Sequence, residues 1–329
     1  MSIERTTEQA EDGKPSAEAP IEEKTSVNIE QTITKLLTAA ATDPTQLASC
    51  LAALDRHIES SEQSKAAVES ALPSMLTMLR QHPYMLKNLN HASTIAAPGQ
   101  QGPAYKMLMN LLAQSIETLS PDECIKVIES QRRAKQYDAM SAWSTMLREK
   151  LGQDDSRSSW SSRSKISYEE HMALRVQGVD LENQKGDQAE VRRLYEQAVT
   201  VAEQSEMEAR KGGDPVDGWY AVMSKAGFLL PRLGRNEEAI RMLEMTIESA
   251  ETYAQEKGAE IDQTRVARTI FNMTMHSIDL EMQVGADPAI VRALIAKLES
   301  NSVFQEGMRV DPVKWEQRLA SARIYCEAH

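Results

Sequence analysis

The feature that most constrains the fold of this chain is a run of apolar residues, at helical spacing, on both sides of Gly234. The segment reads AGFLLPRLGRNEEAIRMLEMTIESAE. Leu230 precedes the glycine, and Ala239, Leu243 and Ile247 follow it at intervals of four residues. Residues spaced by three or four lie on one face of an α-helix, and a glycine commonly follows the end of a helix. The segment therefore predicts two amphipathic helices joined by a turn at the glycine.

The same pattern recurs around two further glycines, Gly186 and Gly285, which lie 48 residues before and 51 residues after Gly234. The residues 5, 9 and 13 positions after each glycine are expected to form one buried face. They are Val191, Tyr195 and Val199 in the first copy, Ala239, Leu243 and Ile247 in the second, and Ile290, Leu294 and Leu298 in the third. Self-similarity at this period indicates a solenoid of stacked helical hairpins.

The composition favours helices throughout the chain. Only 5% of the 329 residues are aromatic, and Ala, Glu, Met and Leu are abundant, whereas the runs typical of strands are scarce. Asp or Ser precedes Pro at four sites: TDP at 42–44, LSP at 119–121, ADP at 286–288 and VDP at 310–312. This order starts helices because the polar side chain caps free N–H groups, and proline gives up no hydrogen bond at the first helical position. The sequence predicts an all-α fold.

The chain divides into four predicted segments. Residues 1–26 are acidic and poor in bulky apolar side chains, which predicts a disordered tail. Residues 27–151 are predicted to form an N-terminal helical domain, and residues 166–329 to hold the hairpin repeats and a C-terminal capping helix. The expected buried face of that last helix consists of Trp315, Leu319, Ala322 and Cys326.

Between the two halves, residues 152–165 read GQDDSRSSWSSRSK and are interpreted as a serine-rich linker. A segment of this composition is expected to be a flexible, solvated hinge. Arg157, Arg163 and Lys165 also make it a basic patch. The alternative interpretation is therefore a phosphorylation or docking site, at which added negative charge would change how the halves pack.

The repeated segment resembles the tetratricopeptide repeat. The second copy carries the residues of that likeness, namely Ala226, Gly227, Leu230, Leu233, Gly234, Glu238, Ala239 and Ile240. The first copy, QGVDLENQKGDQAEVRRLYEQAVTVAEQ, is similar, and FNMTMHSIDLEMQVGADPAIVRALIAKL is a third copy. The usual period of the family is 34 residues, so the helices here must be longer. Pro231 lies inside the first helix of the second copy, and the proline that usually ends each repeat is missing.

The resemblance implies a concave groove, lined by the first helix of each repeat, that binds an extended or helical peptide. The groove-facing residues that it implies are Ala173, Val176, Asp180, Gln184, Ser224, Phe228, Arg232, Asn272, Asp279 and Gln283. Phe228 is expected to be an aromatic anchor for the peptide. The lysine and asparagine pattern of the carboxylate clamp in chaperone-binding members is missing, so a C-terminal carboxylate is not the expected ligand.

No motif for catalysis, a metal or a cofactor occurs in the chain. Cys50, Cys124 and Cys326 have no zinc-site spacing and are expected to be mostly buried thiols in a reducing compartment. None of the six histidines belongs to a catalytic motif. His171, next to Glu170, is interpreted as part of a solvated helix start, and His276 as a packed or groove-lining residue. We therefore expect no enzyme, no metal and no cofactor.

The net charge of −12 makes general affinity for nucleic acid unfavourable. No stretch approaches the roughly 20 apolar residues of a membrane span, and the acidic N-terminus lacks a targeting pattern, which predicts a cytoplasmic protein. The leading hypothesis is a scaffold or adaptor that binds a protein partner. One alternative is an RNA-binding helical-repeat protein, suggested by a hairpin-like pattern at 133–152. Another is a catalytic protein whose site is assembled from distant residues.

Overall fold

The computed structural model describes residues 45–81 and 102–328, together with five isolated positions, Gln31, Thr34, Lys35, Thr38 and Leu86. Within these residues every regular element is a helix and no strand occurs, so the all-α class is confirmed. No described helix has the length and apolar character that crossing a membrane would require. The tail predicted over residues 1–26 lies outside the described residues.

Five helices make up the N-terminal half of the described chain. They are α1 (Thr45–Ser60), α2 (Glu62–Gln81), α3 (Pro103–Gln114), α4 (Pro121–Arg133) and α5 (Tyr137–Leu151). The start of α4 shows how the sequence sets these boundaries. The Ser120 hydroxyl accepts a hydrogen bond from the Glu123 backbone, and the Glu123 carboxylate accepts one from the Ser120 backbone. This capping box satisfies two N–H groups that the helix itself leaves unpaired.

Eight further helices follow. They are α6 (Arg157–Asn183), α7 (Gln188–Gly212), α8 (residues 215–232), α9 (Asn236–Lys257), α10 (Gln263–Val284), α11 (Pro288–Glu299), α12 (Ser302–Val310) and α13 (Pro312–Ala328). The α8 helix begins as Pro215–Ser224, passes through one π-helical turn at Lys225–Leu229 and ends as Leu230–Arg232. Short 3₁₀ turns occur at Ile116–Thr118 and Gly258–Glu260.

The three glycines of the repeat lie in the turns between consecutive helices. Gly234 and Gly285 have φ angles of 76° and 73°, in the left-handed region that side chains disfavour. At Gly186 the left-handed residue is instead the preceding Lys185, with φ 54°. The predicted hairpin turns are therefore present at all three positions.

The buried faces expected after the first two glycines are also present. All six residues are buried, namely Val191, Tyr195, Val199, Ala239, Leu243 and Ile247. Their burial follows from the amphipathic spacing of α7 and α9, which turns one apolar stripe of each helix towards its neighbours.

The buried face expected in the third copy is confirmed only in part, because Leu298 is buried and Leu294 is half-buried but Ile290 is not. Ile290 is 45% exposed, and the neighbouring Val291 and Ile295 are buried instead. The cause lies in the turn, where the cap of α11 is Asp287, two residues after Gly285. In the other two copies the cap directly follows the glycine. One extra residue rotates every later side chain of the helix by about 100°.

The expected linker is also wrong, because residues 157–165 form the first turns of the long α6 helix. Ser159, Ser162 and Ser164 are buried in the molecule. The Ser164 hydroxyl donates to the Ser205 carbonyl oxygen at 2.8 Å, which joins α6 to α7. Serine is small and can hydrogen-bond backbone groups, so a serine-rich stretch allows two helices to approach closely instead of forming a hinge.

From α4 onward the helices pack in a regular order. Each helix contacts the next along the chain, and each even-numbered helix also contacts the next even-numbered helix. The helices α4, α6, α8, α10 and α12 therefore lie side by side, and we call the surface that they form the even-helix face. The odd-numbered helices α5 to α13 alternate with them.

The hydrophobic core crosses the boundary expected between the two halves. Ile166 and Ala173 of α6 belong to the same buried cluster as residues of α1 to α5. At the other end, Leu319 and Ala322 of α13 are buried, and Trp315 and Cys326 are half-buried, as the spacing of that helix predicts. The α6 helix thus packs simultaneously on the hairpin before it and on the hairpin after it.

Candidate partner-binding groove

A groove of about 280 Å³ lies on the even-helix face, where α4, α6 and α8 meet. Its lining residues come from all three helices: Ile125, Ser164, Lys165, Tyr168, Glu169, Asp217 and Tyr220. The two tyrosines are half-buried, so each keeps part of its ring accessible. A concave surface with aromatic walls and a few polar groups is typical of sites that bind an extended polypeptide.

Ion pairs between neighbouring helices hold the acidic residues of the groove in place. Glu169 of α6 is buried and forms a salt bridge with Arg132 of α4. Burial raises the pKa of Glu169 above its usual value, and the Arg132 guanidinium opposes that shift. Asp217 of α8 forms a salt bridge with Arg265 of α10. The acidic side chains of the groove are therefore held by ion pairs between neighbouring helices.

Further along α6, two arginines stack on one phenylalanine. The guanidinium carbon of Arg175 lies 3.9 Å from the ring centroid of Phe228, and that of Arg232 lies 3.6 Å from it. Arg232 also lies 3.4 Å from the Glu182 carboxylate. Each stack is favourable because the ring face carries negative charge density.

A chain of hydrogen bonds below this stack connects α8, α6 and α7. Nδ1 of His171 lies 2.9 Å from the Ala198 carbonyl oxygen, and Nε2 lies 2.8 Å from the Ser224 hydroxyl. Because a carbonyl oxygen only accepts, Nδ1 carries the proton and Nε2 accepts from Ser224. Burial lowers the pKa of His171 to about 4, so the ring is neutral at neutral pH. The expected solvated position of His171 is therefore wrong, because the side chain is buried and both ring nitrogens are bonded to α7 and α8.

Two of the expected groove residues are interior residues. Ala173 is 1% exposed and Ser224 is 6% exposed, so neither lines a surface groove. Ala173 packs in the core of the N-terminal half, and Asp180 on the same stripe of α6 pairs with Lys135 between α4 and α5. This stripe is covered because the α4–α5 hairpin packs on it, and the likeness to the repeat family began only at residue 166.

Phe228 is half-buried and already packed within the molecule, so it is not a free aromatic anchor of the kind expected. The guanidinium groups of Arg175 and Arg232 lie over its ring, and Tyr195 packs against it in a T-shaped pair at a centroid distance of 6.3 Å. The sequence does not predict this packing of Phe228, because Arg175 and Arg232 are distant from each other in sequence and meet only when α6 and α8 pack together.

The remaining expected residues lie nearer the surface. Gln184, Arg232, Asp279 and Gln283 are exposed, and Val176 and Asn272 are half-buried. On α10, His276 is half-buried and packs against Gly227 of α8, where any larger residue would meet its ring. That position agrees with the expectation that His276 is a packed residue. A binding role for the exposed residues stays a prediction.

Sequence reasoning missed the residues that form the groove. Tyr168, Tyr220 and Ile125 line it from three helices that are separate in sequence. The sequence does indicate Tyr168 and Tyr220, because each is an aromatic residue on the first helix of one of the first two copies. Ile125 could not have been found in this way, because α4 lies outside the part of the chain that resembles the repeat.

Two other surface depressions border different helices. One of about 510 Å³ lies between α7, α8 and α9, with Trp219 and the 72% exposed Met245 in its lining. Another of about 600 Å³ lies between α10, α12 and α13. The groove between α4, α6 and α8 differs from both because tyrosines from two helices line it.

The cysteines are free thiols, and Cys50 and Cys124 are buried. Burial raises the pKa of Cys50 to about 12 and that of Cys124 to about 11, which makes both poor nucleophiles. Within the residues that the structure describes, no group of three or more His, Cys, Asp or Glu side chains is arranged to hold a metal ion.

Comparisons with protein-family models, with curated proteins and with solved structures found no match for this chain. The groove is therefore interpreted from its own residues and their contacts.

Proposed function

We propose that this protein is a non-enzymatic scaffold or adaptor, and that a partner polypeptide binds along its even-helix face. The proposed architecture is a tetratricopeptide-like solenoid of elongated helical hairpins. Three features support it, namely the hairpin turns at the repeated glycines, the regular contacts between successive helices, and the alignment of the even-numbered helices. The proposal places the protein in the cytoplasm, where its buried thiols would stay reduced.

The groove between α4, α6 and α8 is the observation on which the proposal depends. Tyr168 and Tyr220 offer large, rigid side chains whose burial by a partner costs little conformational entropy. The neighbouring carboxylates of Glu169 and Asp217 are already in ion pairs with arginines. Groups held in this way position helices, and they are not free to transfer protons to a substrate, which favours binding over catalysis.

A photo-crosslinking experiment tests the proposal directly. The photoreactive amino acid p-benzoylphenylalanine replaces Tyr220 in the full chain, and the protein is irradiated in its own host cells. The matched control carries the same residue in place of Met245, which is exposed on the α7–α9 side. The proposal predicts discrete protein adducts from position 220 and none at the same size from position 245.

Two outcomes contradict the proposal. Adducts of equal size and yield from both positions would mean that the groove has no special role. A nuclease-sensitive adduct from position 220 would instead favour the RNA-binding alternative. The pairing of Arg132 and Arg265 with carboxylates argues against that alternative, because neither charge is free for phosphate.

A further inference from the structure

Arg175 differs from the other basic side chains around the groove because it has no carboxylate partner within the described residues. Its neighbours are each paired: Lys165 with Asp122, Arg132 with Glu169, Arg232 with Glu182, and Arg265 with Asp214 and Asp217. The even-helix face of a chain with a net charge of −12 therefore carries an uncompensated positive charge at this point.

The guanidinium of Arg175 is held in a fixed position. Nη1 donates to the Ser224 hydroxyl at 3.0 Å, and the group stacks on the Phe228 ring. Ser224 is in turn fixed because it donates to the buried His171. Arg175 therefore loses little freedom when it binds a ligand, which is the condition for a strong charge-assisted contact.

Part of the guanidinium remains free to donate. Within the described residues, the hydrogen bonds of Arg175 use Nη1 alone, with the Ser224 hydroxyl and a long contact to the Met172 sulfur. Nε and Nη2 have no protein acceptor there. Burial lowers the pKa of Arg175, so its charge is imperfectly solvated and would be stabilised by an anion. A carboxylate matches such a donor pair in a planar, two-bonded arrangement.

We propose that Arg175 binds a side-chain carboxylate of the partner, so that the partner segment carries an Asp or Glu near an apolar residue. This inference rests on the proposed function. Tyr168 lies seven residues before Arg175 on α6, so the two side chains share a helix face about 10 Å apart. An extended peptide advances about 3.3 Å per residue. The apolar side chain in the groove and the acidic side chain at Arg175 are therefore about three residues apart.

Two synthetic peptide pools test this recognition. Each peptide is seven residues long, fluorescein-labelled and amidated at its C-terminus. It carries one Phe, Tyr, Trp or Leu three positions from a Glu, and the apolar residue precedes the Glu in half of the peptides and follows it in the other half. The second pool is identical except that Gln replaces Glu. Fluorescence anisotropy with the full-length protein is expected to show binding of the Glu pool about tenfold tighter than binding of the Gln pool.

Two variants assign the preference to Arg175. Arg175→Gln is expected to bind both pools with the affinity that the wild type shows for the Gln pool. Arg232→Gln is the matched control, because it removes the other guanidinium that lies over the Phe228 ring, which is already paired with Glu182. That variant is expected to keep the preference for Glu. The comparison of the two pools on the wild type does not depend on how well either variant folds.

The outcomes separate this inference from the proposed function. Equal binding of the two pools by the wild type would overturn the carboxylate site and leave a partner-binding groove intact. A preference for Glu that survives in Arg175→Gln would also overturn it. Weak peptide binding is measurable at 1 mM. If the wild type binds neither pool at that concentration, both the carboxylate site and peptide binding in the groove are overturned.

Discussion

Ser224 of α8 donates a hydrogen bond of 2.8 Å to Nε2 of His171 on α6, and both side chains are buried. The other ring nitrogen of His171 donates to the Ala198 carbonyl oxygen of α7. One neutral histidine thus joins three helices of two successive hairpins. Its protonation would break the bond from Ser224, because Nε2 would then carry a proton of its own.

This arrangement makes the free energy of unfolding depend on pH. The pKa of His171 is about 4 in the folded protein, against about 6.5 in an unfolded chain. Between these values the unfolded chain binds the extra proton and the folded one does not, so stability falls as pH decreases from 6.5 to 4. We expect His171 to contribute a loss of about 2 kcal/mol between pH 7 and pH 5. Urea unfolding of the wild type and of His171→Asn at pH 7 and pH 5 measures this loss in the free energy of unfolding. An equal pH-dependent loss in the two proteins would contradict this expectation.

Leu243 is fully buried in α9, and Met245, two residues later on the same helix, is 72% exposed. We expect Leu243→Ala to lower the free energy of unfolding by about 2–5 kcal/mol, because it removes apolar contacts and leaves a cavity. Met245→Ala is the control and should change it by less than about 0.5 kcal/mol. Denaturant unfolding followed by circular dichroism makes the comparison. Similar losses in the free energy of unfolding for both variants would show that Leu243 is not a core residue.

Gly227 allows α8 and α10 to approach each other. A β-carbon at this position would lie 2.6 Å from the ring of His276, a distance that requires a shift of the helices or of the ring. Alanine normally favours a helix over glycine by about 1 kcal/mol, so the local preference and the packing oppose each other. We expect packing to dominate, so that Gly227→Ala lowers the thermal midpoint. The double variant Gly227→Ala with His276→Ala should recover most of the loss, and no recovery would assign the effect to another contact.

The salt bridge between Arg132 and Glu169 connects α4 to α6, and Glu169 is buried. Arg132→Met leaves that carboxylate without its partner, and we expect it to cost about 3–5 kcal/mol at pH 7. Adding Glu169→Leu removes the unpaired charge, so the double variant should be more stable than Arg132→Met alone. Chemical unfolding of the single and double variants measures the coupling. Strict additivity of the two changes would show that the pair does not interact.

The spacing of apolar residues predicted more of the fold than of the groove. The helix starts at Ser120 and Asp287, the turns at Gly234 and Gly285, and the buried faces of α7 and α9 all follow from contacts within a few residues. Local rules are sufficient there because capping and amphipathic spacing act over one or two helical turns. The exposure of Ile290 was not predicted, because one extra turn residue rotates α11 and moves this position out of a buried face that still includes Leu298.

Contacts between residues close in sequence do not determine which residues form the groove. The expected stripe of Ala173 and Asp180 differs from the actual stripe of Tyr168 and Arg175 by a rotation of α6 about its axis. Which stripe is free depends on the α4–α5 hairpin, which covers Ala173. The spacing of α6 itself carries little information on this choice, because neighbouring helices bury more than one side of it.

The sequence by itself determined that the chain is helical, that helices begin after Ser120, Asp287 and Asp311, and that a turn between two helices recurs at three glycines. These properties follow from backbone preferences and from side chains within about four residues of one another. Only the tertiary structure decided which faces are covered, that residues 157–165 of the serine-rich segment are helical with three buried serines, and that Arg175 lacks a carboxylate partner among the described residues. Burial and charge pairing depend on residues far apart in sequence, such as Arg132 and Glu169 or Asp217 and Arg265, and the packing of the helices brings those residues together.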